Sequence, residues 1–312
     1  MAKRGSKLEK IRARLIYNPT SGREEMRRRL SYVLQRLERG GIETSTHATE
    51  AEGDATRATI EAIERGYDMI IAAGGDGTLN EVVNGISGQE RRPPIGVLPM
   101  GTTNDFARAN GIPKRWQDAV DLIVRRHTRP VDVGVANGKY FLYMAGGGFL
   151  TDLSYEVPSK MKTMIGQFAY YVKGFEKIVN FRPTSLRISA EGVGTFDGEY
   201  MLFFVANSQS IAGFERLAPH AKIDDGLLDV ILVKKCNLAE MIRIASLAVK
   251  GEHLNDSHIV HFQTSQLTVT ADDRVQLNLD GEFGGTLPLE LSVLPSHISV
   301  VVDEEGLTSY KK

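Results

Sequence analysis

A glycine-rich octet carries the pattern in this sequence that is most typical of anion binding. Residues Gly74 to Glu81 read Gly-Gly-Asp-Gly-Thr-Leu-Asn-Glu and lie between an apolar run and a helical pattern. Glycines let backbone N–H groups approach an anion closely, and the following helix adds the positive end of its dipole. Asp76 would repel a bare phosphate, but Mg²⁺ carried by a nucleotide would resolve that conflict. A tight strand–helix turn capped by Asp76 is the alternative.

Three further polar segments follow predicted strands in the same part of the chain. Asn18-Pro19-Thr20-Ser21-Gly22 offers hydroxyls and free amides, although a helix cap would explain it equally well. Thr49 follows the second strand, and Pro99 to Arg108 follows the fourth. In that last segment Thr102 and Thr103 could donate to phosphate oxygens, and Asp105 could orient a metal-bound water. Ligands bind beyond the carboxyl ends of parallel strands, so we expect these segments and the octet to form one site.

A second candidate group lies near the C-terminus, in Asp280-Gly281-Glu282. A turn at a strand end could present the Glu282 carboxylate into a cleft, where Asp280 could raise the pKa of one of the two carboxyls. From the residues alone an ordinary hairpin turn is the favoured interpretation.

The elements that must position these groups alternate in the first third of the chain. The hydrophobic periodicity predicts strands at Arg14–Tyr17, Ile42–His47, Asp68–Ala73 and Ile95–Leu98, and helices at Gly22–Arg39, Ala55–Arg65 and Leu79–Ile86. This alternation predicts a doubly wound α/β domain over residues 1–131.

The pattern changes near Asp132. Val131–Ala136 and Tyr140–Ala145 flank Asn137-Gly138, which predicts a hairpin. Further short strands predict a mostly antiparallel β-sandwich domain over residues 132–297, with helices at about Lys160–Val179 and Leu238–Lys250. The last strand, Ile298–Val302, is expected to return to the first domain together with the rest of residues 298–312.

Composition narrows the function classes. The 312 residues suit two domains, and a net charge of −1 argues against nucleic-acid coating. Cys236 is the only cysteine, so neither an internal disulfide nor a Cys-ligated zinc cage can form, and a reducing, cytoplasmic compartment is the simplest interpretation. No apolar run approaches the roughly 20 residues that span a bilayer. An apolar stripe with flanking lysines at Ser159–Val179 predicts either a packed helix or one lying at a lipid interface.

The sequence closely resembles the bacterial diacylglycerol kinase family of soluble lipid kinases. The resemblance covers nearly the whole chain and is carried by Asn18–Gly22, Gly74–Glu81, Asn104-Asp105-Phe106, Lys173-Gly174-Phe175-Glu176, Lys222–Leu227 and Leu279-Asp280-Gly281-Glu282. It implies a nucleotide-binding first domain and a lipid-binding second one. It also implies ATP- and Mg²⁺-dependent phosphorylation of the free hydroxyl of 1,2-diacylglycerol to phosphatidic acid in phospholipid metabolism.

The resemblance also implies roles for individual residues. Glu282 would be the general base, with Asp105 and Asp280 in support. Lys222, Asp225 and Leu227 would hold a structural Mg²⁺, the first and last through their carbonyl oxygens. ATP would contact Asn18, Pro19, Thr20, Ser21, Gly22, Thr49, Gly75, Asp76, Gly77, Thr78, Leu79, Asn80, Glu81 and Thr102. The family further suggests a homodimer that is cytoplasmic and visits the inner face of the membrane transiently, as a peripheral protein.

Two alternatives stay open. The first is a related lipid kinase acting on another lipid alcohol, such as phosphatidylglycerol, a sphingoid base or undecaprenol; an NAD kinase is weaker because it would leave the Ser159 stripe unused. The second is a non-catalytic lipid or nucleotide sensor, which would keep the glycine loop without phosphoryl transfer. Transfer of phosphate to a lipid discriminates the kinase from the sensor.

Overall fold

A computed structural model describes residues 10–148, 182–209 and 216–303. Contacts between Cα atoms divide the chain into two compact units. The first holds the described residues up to Val131 together with those from Ser296 onward, and the second runs from Asp132 to Pro295. The predicted helix at Lys160–Val179, with its Lys173–Glu176 motif, lies outside the described residues.

The first unit is built on a parallel sheet. Strand β1 (Ile11–Tyr17) lies between β2 (Ile42–Ala48) and β3 (Met69–Gly74), and β4 (Ile95–Pro99) pairs with β3. The end of β15 (Leu289–Val301) adds a parallel pairing of Val300 with Ile95. The helices are α1 (Glu25–Arg39), α2 (Asp54–Glu64), α3 (Asp76–Ser87), α4 (Asp105–Ala109) and α5 (Trp116–Arg125). The predicted α/β class of this part is confirmed.

Burial explains why these segments form these elements. Every residue of β3 is buried, as expected for a central parallel strand covered on both faces. Helix α1 buries Met26, Val33 and Leu37 and leaves most of its arginines exposed. Helices α4 and α5 are absent from the predicted pattern. Part of the segment that was expected to be a loop, Pro99–Arg108, is therefore helical.

The second unit is antiparallel. Its strands are β6 (Lys139–Phe141), β7 (Met144–Gly148), β8 (Thr184–Ala190), β9 (Gly194–Ala206), β10 (Leu228–Lys234), β11 (Ile259–Thr264), β12 (Gln266–Ala271), β13 (Gln276–Leu279) and β14 (Glu282–Thr286). Strand β5 (Thr128–Ala136) leads into this unit and pairs with β6, and the first half of β15 pairs with β12. The order is β14-β13-β7-β9-β8-β12-β15, with β10 joining β9 and β11. The predicted antiparallel β-sandwich class is confirmed.

One helix of this unit was expected at its observed bounds. Helix α6 (Leu238–Lys250) begins with a capping box, in which the Asn237 side chain accepts from the Glu240 N–H and Glu240 accepts from the Asn237 N–H. This reciprocal pair satisfies two amide groups that a helix start leaves without intrahelical partners. The helix buries Met241, Ile244 and Ala248.

The predicted strand Tyr140–Ala145 is wrong in detail, because it is split between β6 and β7. The backbone N–H groups of Leu142, Tyr143 and Met144 donate to the carboxylate of Asp280, at 2.6, 3.0 and 2.9 Å. These three amides are therefore directed at one side chain. The strand is thus interrupted by Asp280, which lies 138 residues from Leu142 in the sequence. No local sequence pattern could predict this interruption.

Candidate active site

The glycine octet forms the end of β3 and the start of α3. Gly75 is the N-cap residue and has an extended backbone, and no side chain caps the helix there. The first amides of an α-helix, here those of Asp76, Gly77 and Thr78, have no acceptor within the helix. They lie at the positive end of the helix dipole, so this helix start offers an anion several N–H donors.

Close contacts explain why positions 74 and 101 are occupied by glycine. A Cβ atom on Gly101 would lie 2.5 Å from the Cα of Gly75, and one on Gly74 would lie 2.3 Å from Oγ1 of Thr78. The Met100 N–H donates to the Gly74 carbonyl at 2.8 Å. The octet and the segment after β4 are thus in direct contact, as predicted from their places at strand ends.

Asn104 closes the segment after β4. Its Oδ1 accepts from the Gly101 N–H at 2.9 Å and its Nδ2 donates to the Gly101 carbonyl at 2.8 Å. Its φ of 49° is left-handed, a conformation that asparagine tolerates better than most residues. This role of Asn104 was not predicted, although Asn104 belongs to one of the motifs that resemble the family. The available signal was an Asn-Asp pair that closely follows Gly101, because Asn and Asp favour turns closed by their own side chains. Thr102, within this closed turn, is exposed.

Asp76 joins the starts of two helices. Its carboxylate accepts from Oγ1 of Thr103 at 3.0 Å and from the Phe106 N–H at 3.3 Å. Thr103 was expected to donate to phosphate, and in the structure its hydroxyl donates to Asp76 instead. The neighbouring Asp105 is buried and forms an ion pair with Arg108. The contacts of Asp76 therefore hold the start of α4 next to the octet, whereas the Asp105–Arg108 pair lies within α4.

The other two predicted segments lie at the same edge of the sheet. Asn18 donates its N–H to the Ala73 carbonyl at 3.1 Å, and its Oδ1 accepts from the N–H and hydroxyl of Thr20 at 2.9 and 2.8 Å. A Cβ on Gly22, whose φ is 56°, would lie 2.3 Å from the Met100 carbonyl oxygen. The Thr49 N–H donates to the Tyr17 carbonyl at 2.9 Å. The structure therefore brings the four predicted segments together.

Three predicted nucleotide contacts lie deeper in α3. Leu79 and Asn80 are buried, and Asn84 donates to the carbonyl and side-chain oxygens of Asn80, both at 3.0 Å. Oε2 of Glu81 accepts from the Ala55 N–H at 2.9 Å, at the start of α2. The side chain of Glu81 thus links α2 to α3, and its contact with a nucleotide stays a prediction.

In the second unit, a two-residue turn presents Glu282. Asp280 and Gly281 both have positive φ, 50° and 96°, as a type I′ hairpin turn requires. Besides the three amides bound by its carboxylate, Asp280 accepts from the Tyr143 hydroxyl through its carbonyl at 2.7 Å. The Gly281 N–H donates to Oδ1 of Asn278 at 2.8 Å. Asp280 is buried and anchors the turn, and Glu282 is exposed at the start of β14.

Several carboxylates lie close together around the Lys222–Leu227 segment. Burial raises the pKa of Asp225, and the carboxylates of Asp229 and Asp132 raise it further, although the Leu227 N–H and Lys222 oppose them. Oδ1 of Asp225 accepts from the Leu227 N–H at 3.1 Å. A cation would relieve this crowding. Within the described part of the chain no three His, Cys, Asp or Glu side chains converge on a metal, so an ion here needs carbonyl oxygens as well.

None of the described helices is long and apolar enough to cross a membrane. The apolar stripe at Ser159–Val179 lies outside the described residues.

Two family patterns match the chain. The "Diacylglycerol kinase catalytic domain" matches residues 12–136, and the "YegS C-terminal NAD kinase beta sandwich-like domain" matches residues 153–302. The diacylglycerol kinase of Bacillus subtilis (strain 168) is 53% identical over 295 residues, covering 94% of this chain and 97% of its own. That of Staphylococcus haemolyticus (strain JCSC1435) is 49% identical and covers 94% and 88%.

Solved structures agree with this assignment. A diacylglycerol kinase from Bacillus anthracis str. Sterne superposes with a TM-score of 0.80 at 28% identity, covering 97% of this chain and 99% of its own. An NAD kinase from Archaeoglobus fulgidus, solved in complex with ATP, reaches a TM-score of 0.51 at 14% identity over 96% of each chain, which shows a shared fold alone. With the two family patterns and relatives near 50% identity over almost its full length, this chain belongs to the diacylglycerol kinase family.

Proposed function

We propose that this chain transfers the γ-phosphoryl group of ATP to the free hydroxyl of 1,2-diacylglycerol and so makes phosphatidic acid for phospholipid metabolism. The names of its relatives support the substrate. The observation that carries the proposal is the uncapped start of α3, held against the segment after β4 by a close approach that a Cβ atom on Gly101 would block. Such a helix start binds phosphate oxygens through backbone amides.

The nucleotide site of the proposal consists of the four segments at the sheet edge. The amides of Gly75 to Thr78 bind phosphate oxygens, and Asp76 keeps the neighbouring segment in place. The remaining contacts of ATP are assigned to Asn18, Pro19, Thr20, Ser21, Gly22, Thr49, Leu79, Asn80, Glu81 and Thr102. Residues 1–131 with about 298–312 form the nucleotide-binding domain in this proposal, and residues 132–297 form the lipid-substrate domain.

Glu282 is the proposed general base. The hydroxyl oxygen of the lipid forms a bond to the γ-phosphorus of ATP, and the bond from that phosphorus to the β,γ-bridging oxygen breaks to release ADP. The proton of the hydroxyl goes to the Glu282 carboxylate. The rigid turn supports this role, because Asp280 and Gly281 fix the backbone just before an exposed carboxylate.

The Glu282→Gln variant tests the base. An amide cannot take up the proton, so we expect turnover of diacylglycerol to fall roughly 100- to 10,000-fold with an unchanged ATP dissociation constant. Radiolabelled ATP, Mg²⁺ and diacylglycerol micelles give the rate, and calorimetry gives ATP binding. Glu290→Gln, which changes an exposed glutamate on β15, is the matched control and should keep full activity. Full turnover by Glu282→Gln would remove Glu282 from this role.

A lipid panel separates the alternatives. Labelling of phosphatidylglycerol, a sphingoid base or undecaprenol in place of diacylglycerol would favour a different lipid kinase. Labelling of NAD without any lipid would contradict the lipid kinase proposal altogether. Binding of ATP with no transfer to any acceptor would favour a sensor.

A structural Mg²⁺ is part of the proposal, held by the Asp225 carboxylate and the carbonyl oxygens of Lys222 and Leu227. The supporting observation is the closeness of carboxylates to this segment: Oδ2 of Asp132 accepts from the Gly226 N–H at 2.7 Å. Partial desolvation, with Asp229 and Asp132 nearby, also raises the pKa of Asp225. We expect millimolar Mg²⁺ to raise the midpoint of thermal unfolding of the wild type and to leave that of Asp225→Asn unchanged. Asp224→Asn is the control, and it should respond to Mg²⁺ as the wild type does. An equal response of all three proteins would contradict this site.

The proposed setting is cytoplasmic, with transient visits to the inner face of the membrane, because diacylglycerol is a membrane lipid. Bulk nucleic-acid binding is not expected at a net charge of −1. The family resemblance supports a homodimer. Light scattering coupled to size-exclusion chromatography would test it, and a mass of about 34.4 kDa would contradict a dimer.

A further inference from the structure

One peptide group in the turn before Glu282 is bound by side chains at both of its ends. The carbonyl of Asp280 accepts from the Tyr143 hydroxyl at 2.7 Å, and the N–H of Gly281 donates to Oδ1 of Asn278 at 2.8 Å. This carbonyl and this N–H belong to the same peptide, the central one of the β13–β14 turn. A peptide that is held by its oxygen and by its nitrogen rotates only when both hydrogen bonds break.

The two residues of the turn do not fix this peptide by themselves. Gly281 has a φ of 96°, but glycine adopts negative φ about as readily. Asp280, at a φ of 50°, has a left-handed conformation that costs free energy for a residue with a side chain. A Cβ atom on Gly281 would meet no atom of the described residues within 4 Å, so close packing does not hold the turn there. The observed orientation of the peptide therefore depends on contacts from outside the turn.

Both side chains that make these contacts are themselves held in place. Tyr143 is buried, its N–H donates to Oδ1 of Asp280 at 3.0 Å, and its carbonyl accepts from the Asn207 N–H at 3.0 Å. Asn278 is buried and belongs to β13, where it pairs with Gly146 of β7. A buried side chain on a paired backbone has few alternative positions. The Tyr143 hydroxyl and the Asn278 amide are therefore fixed points for the turn.

Satisfaction of polar groups does not by itself require these two bonds. Gly281 lies at the surface, where water is an alternative acceptor for an N–H group. The ring of Tyr143 could fill its place as a phenylalanine, and the hydroxyl adds a donor directed at the Asp280 carbonyl. What the two bonds share is that they orient one peptide.

We propose that Tyr143 and Asn278 are positioning residues for Glu282. Rotation of the held peptide changes ψ of Asp280 and φ of Gly281, and both torsions lie between the anchored Asp280 carboxylate and Glu282. The two bonds therefore keep the hairpin presenting the Glu282 carboxylate in one direction. The proposal rests on the proposed function, in which Glu282 takes up the proton of the lipid hydroxyl. A base must lie within hydrogen-bond reach of that proton, so a base that samples several positions is less effective.

Tyr143→Phe tests the proposal in the kinetics, because it removes the hydroxyl and keeps the ring. We expect kcat with 1,2-dioleoylglycerol in micelles to fall roughly three- to tenfold, as for the loss of one hydrogen bond, with unchanged KM values for ATP and lipid. The fall should be equal across the pH profile, because no charge changes. Tyr200→Phe, which removes the hydroxyl of another buried tyrosine of this unit, is the control and should keep the kcat of the wild type.

Asn278 is tested by a pair of variants. Asn278→Ala removes the acceptor of the Gly281 N–H and should lower kcat roughly as much as Tyr143→Phe does. Asn278→Asp keeps an oxygen that accepts from this N–H, so its kcat should stay within about twofold of the wild type at alkaline pH, where Glu282 is ionised. Circular dichroism and the unfolding midpoint establish that each variant is folded.

Amide exchange at Gly281, followed by NMR, tests the held peptide independently of catalysis. The Gly281 N–H is bound by Asn278 and not by Tyr143. Tyr143→Phe should nevertheless speed its exchange roughly three- to tenfold, because release of the carbonyl lets the whole peptide rotate. In Tyr200→Phe the exchange rate should equal that of the wild type.

Three outcomes overturn the proposal while the wild type is active. They are an unchanged kcat of Tyr143→Phe, an unchanged exchange rate at Gly281 in that variant, and a higher KM for the lipid at constant kcat, which would place the hydroxyl on the acceptor. A wild-type protein that phosphorylates no diacylglycerol would instead overturn the proposed function, and the role of Tyr143 and Asn278 in catalysis with it.

Discussion

At the residue scale, Asp76 shows how an acid can belong to a phosphate-binding loop. A carboxylate next to phosphate oxygens is repulsive unless donors or a cation accompany it. The structure supplies two donors, the Thr103 hydroxyl and the Phe106 N–H. Asp76 therefore positions the segment after β4 through hydrogen bonds, whether or not it also faces a magnesium ion carried by ATP.

The residue-scale prediction tests whether Asp76 acts through its two hydrogen bonds or through its negative charge. Asp76→Ala removes both acceptors, and we expect the KM for ATP to rise at least tenfold, because hydrogen bonds to a charged group are worth about 1.5–3 kcal/mol each. Asp76→Asn keeps a carbonyl oxygen and an amide that can pair with Thr103, so its KM should stay within about fivefold. Thr103→Val, which removes one donor, should lie between them. An equal loss in the Asn and Ala variants would show that the negative charge is what matters.

At the element scale, the β13–β14 hairpin is fixed by a single carboxylate. Asp280 binds the three amides that connect β6 to β7, and the strand predicted at Tyr140–Ala145 is interrupted there as a consequence. The same contacts fix the turn that carries Glu282. One buried side chain thus connects the geometry of the proposed base to the fold of the second unit.

The element-scale prediction is a loss of stability on Asp280→Asn. An amide presents one NH₂ group toward backbone donors that need an acceptor, so at least one buried N–H loses its partner. We expect the free energy of unfolding to fall by about 2–4 kcal/mol, as measured by urea denaturation. Asp197→Asn is the control: this aspartate is exposed and pairs with the exposed Arg187, so its loss should cost less than about 1 kcal/mol. Equal stability of the two variants would contradict the anchoring role.

At the scale of the whole molecule, each unit holds a histidine whose pKa is lowered by burial. In the second unit, burial lowers the pKa of His253 and the charge of His261 lowers it further, against a backbone contact with Leu217. In the first unit, burial lowers the pKa of His297 and Arg92 adds to this, against the hydrogen bond to the Ser87 carbonyl. The unfolded chain therefore binds protons more readily than either folded unit just below the ordinary histidine pKa of about 6.5.

The sign of the pH dependence follows. The stability contributed by neutral His253 and His297 is complete above about pH 6.5 and is lost progressively as the pH falls below it. Each histidine can add at most about 1.4 kcal/mol per pH unit to the slope with which the free energy of unfolding falls. We expect the unfolding midpoint to drop between pH 7.5 and 5.5, and the drop to be shallower in His253→Gln and His297→Gln than in the control His220→Gln, whose parent residue is exposed. Parallel curves for all proteins would contradict this assignment.

The pKa of a carboxylate, Asp54, is also lowered, but its contribution to stability is lost in a more acidic pH range. The Glu50 N–H lowers the pKa of Asp54, and His47 and Arg57 add to this effect against the burial of the group. Its contribution to stability is present above the unfolded pKa of about 3.9 and is lost only as the pH falls below it. Loss of stability between pH 7.5 and 5.5 is therefore assigned to the histidines.

Much of the fold could be predicted because periodicity and capping are local properties. The apolar run before Gly74, the glycine octet and the amphipathic helices of the first unit follow from neighbours in the sequence, and α6 follows from the Asn237–Glu240 box and its apolar spacing. Helix α4 was not predicted, because its five residues are too few to show the hydrophobic periodicity of a helix. The hairpin turn before β14 could be predicted, but the residues of β14 carry little strand signal of their own, because its glycines lack strand-forming side chains.

The sequence by itself determined the succession of elements and the residues of the anion-binding loop, since both depend on spacing within a few turns of chain. Only the tertiary structure decided what those residues contact: Asp76 is bound by Thr103, 27 residues away, and Glu81 by Ala55, 26 residues away. Asp280 is bound by amides almost 140 residues away. Such pairings depend on which strands become neighbours in the sheet, and a single sequence does not encode that choice in any local pattern.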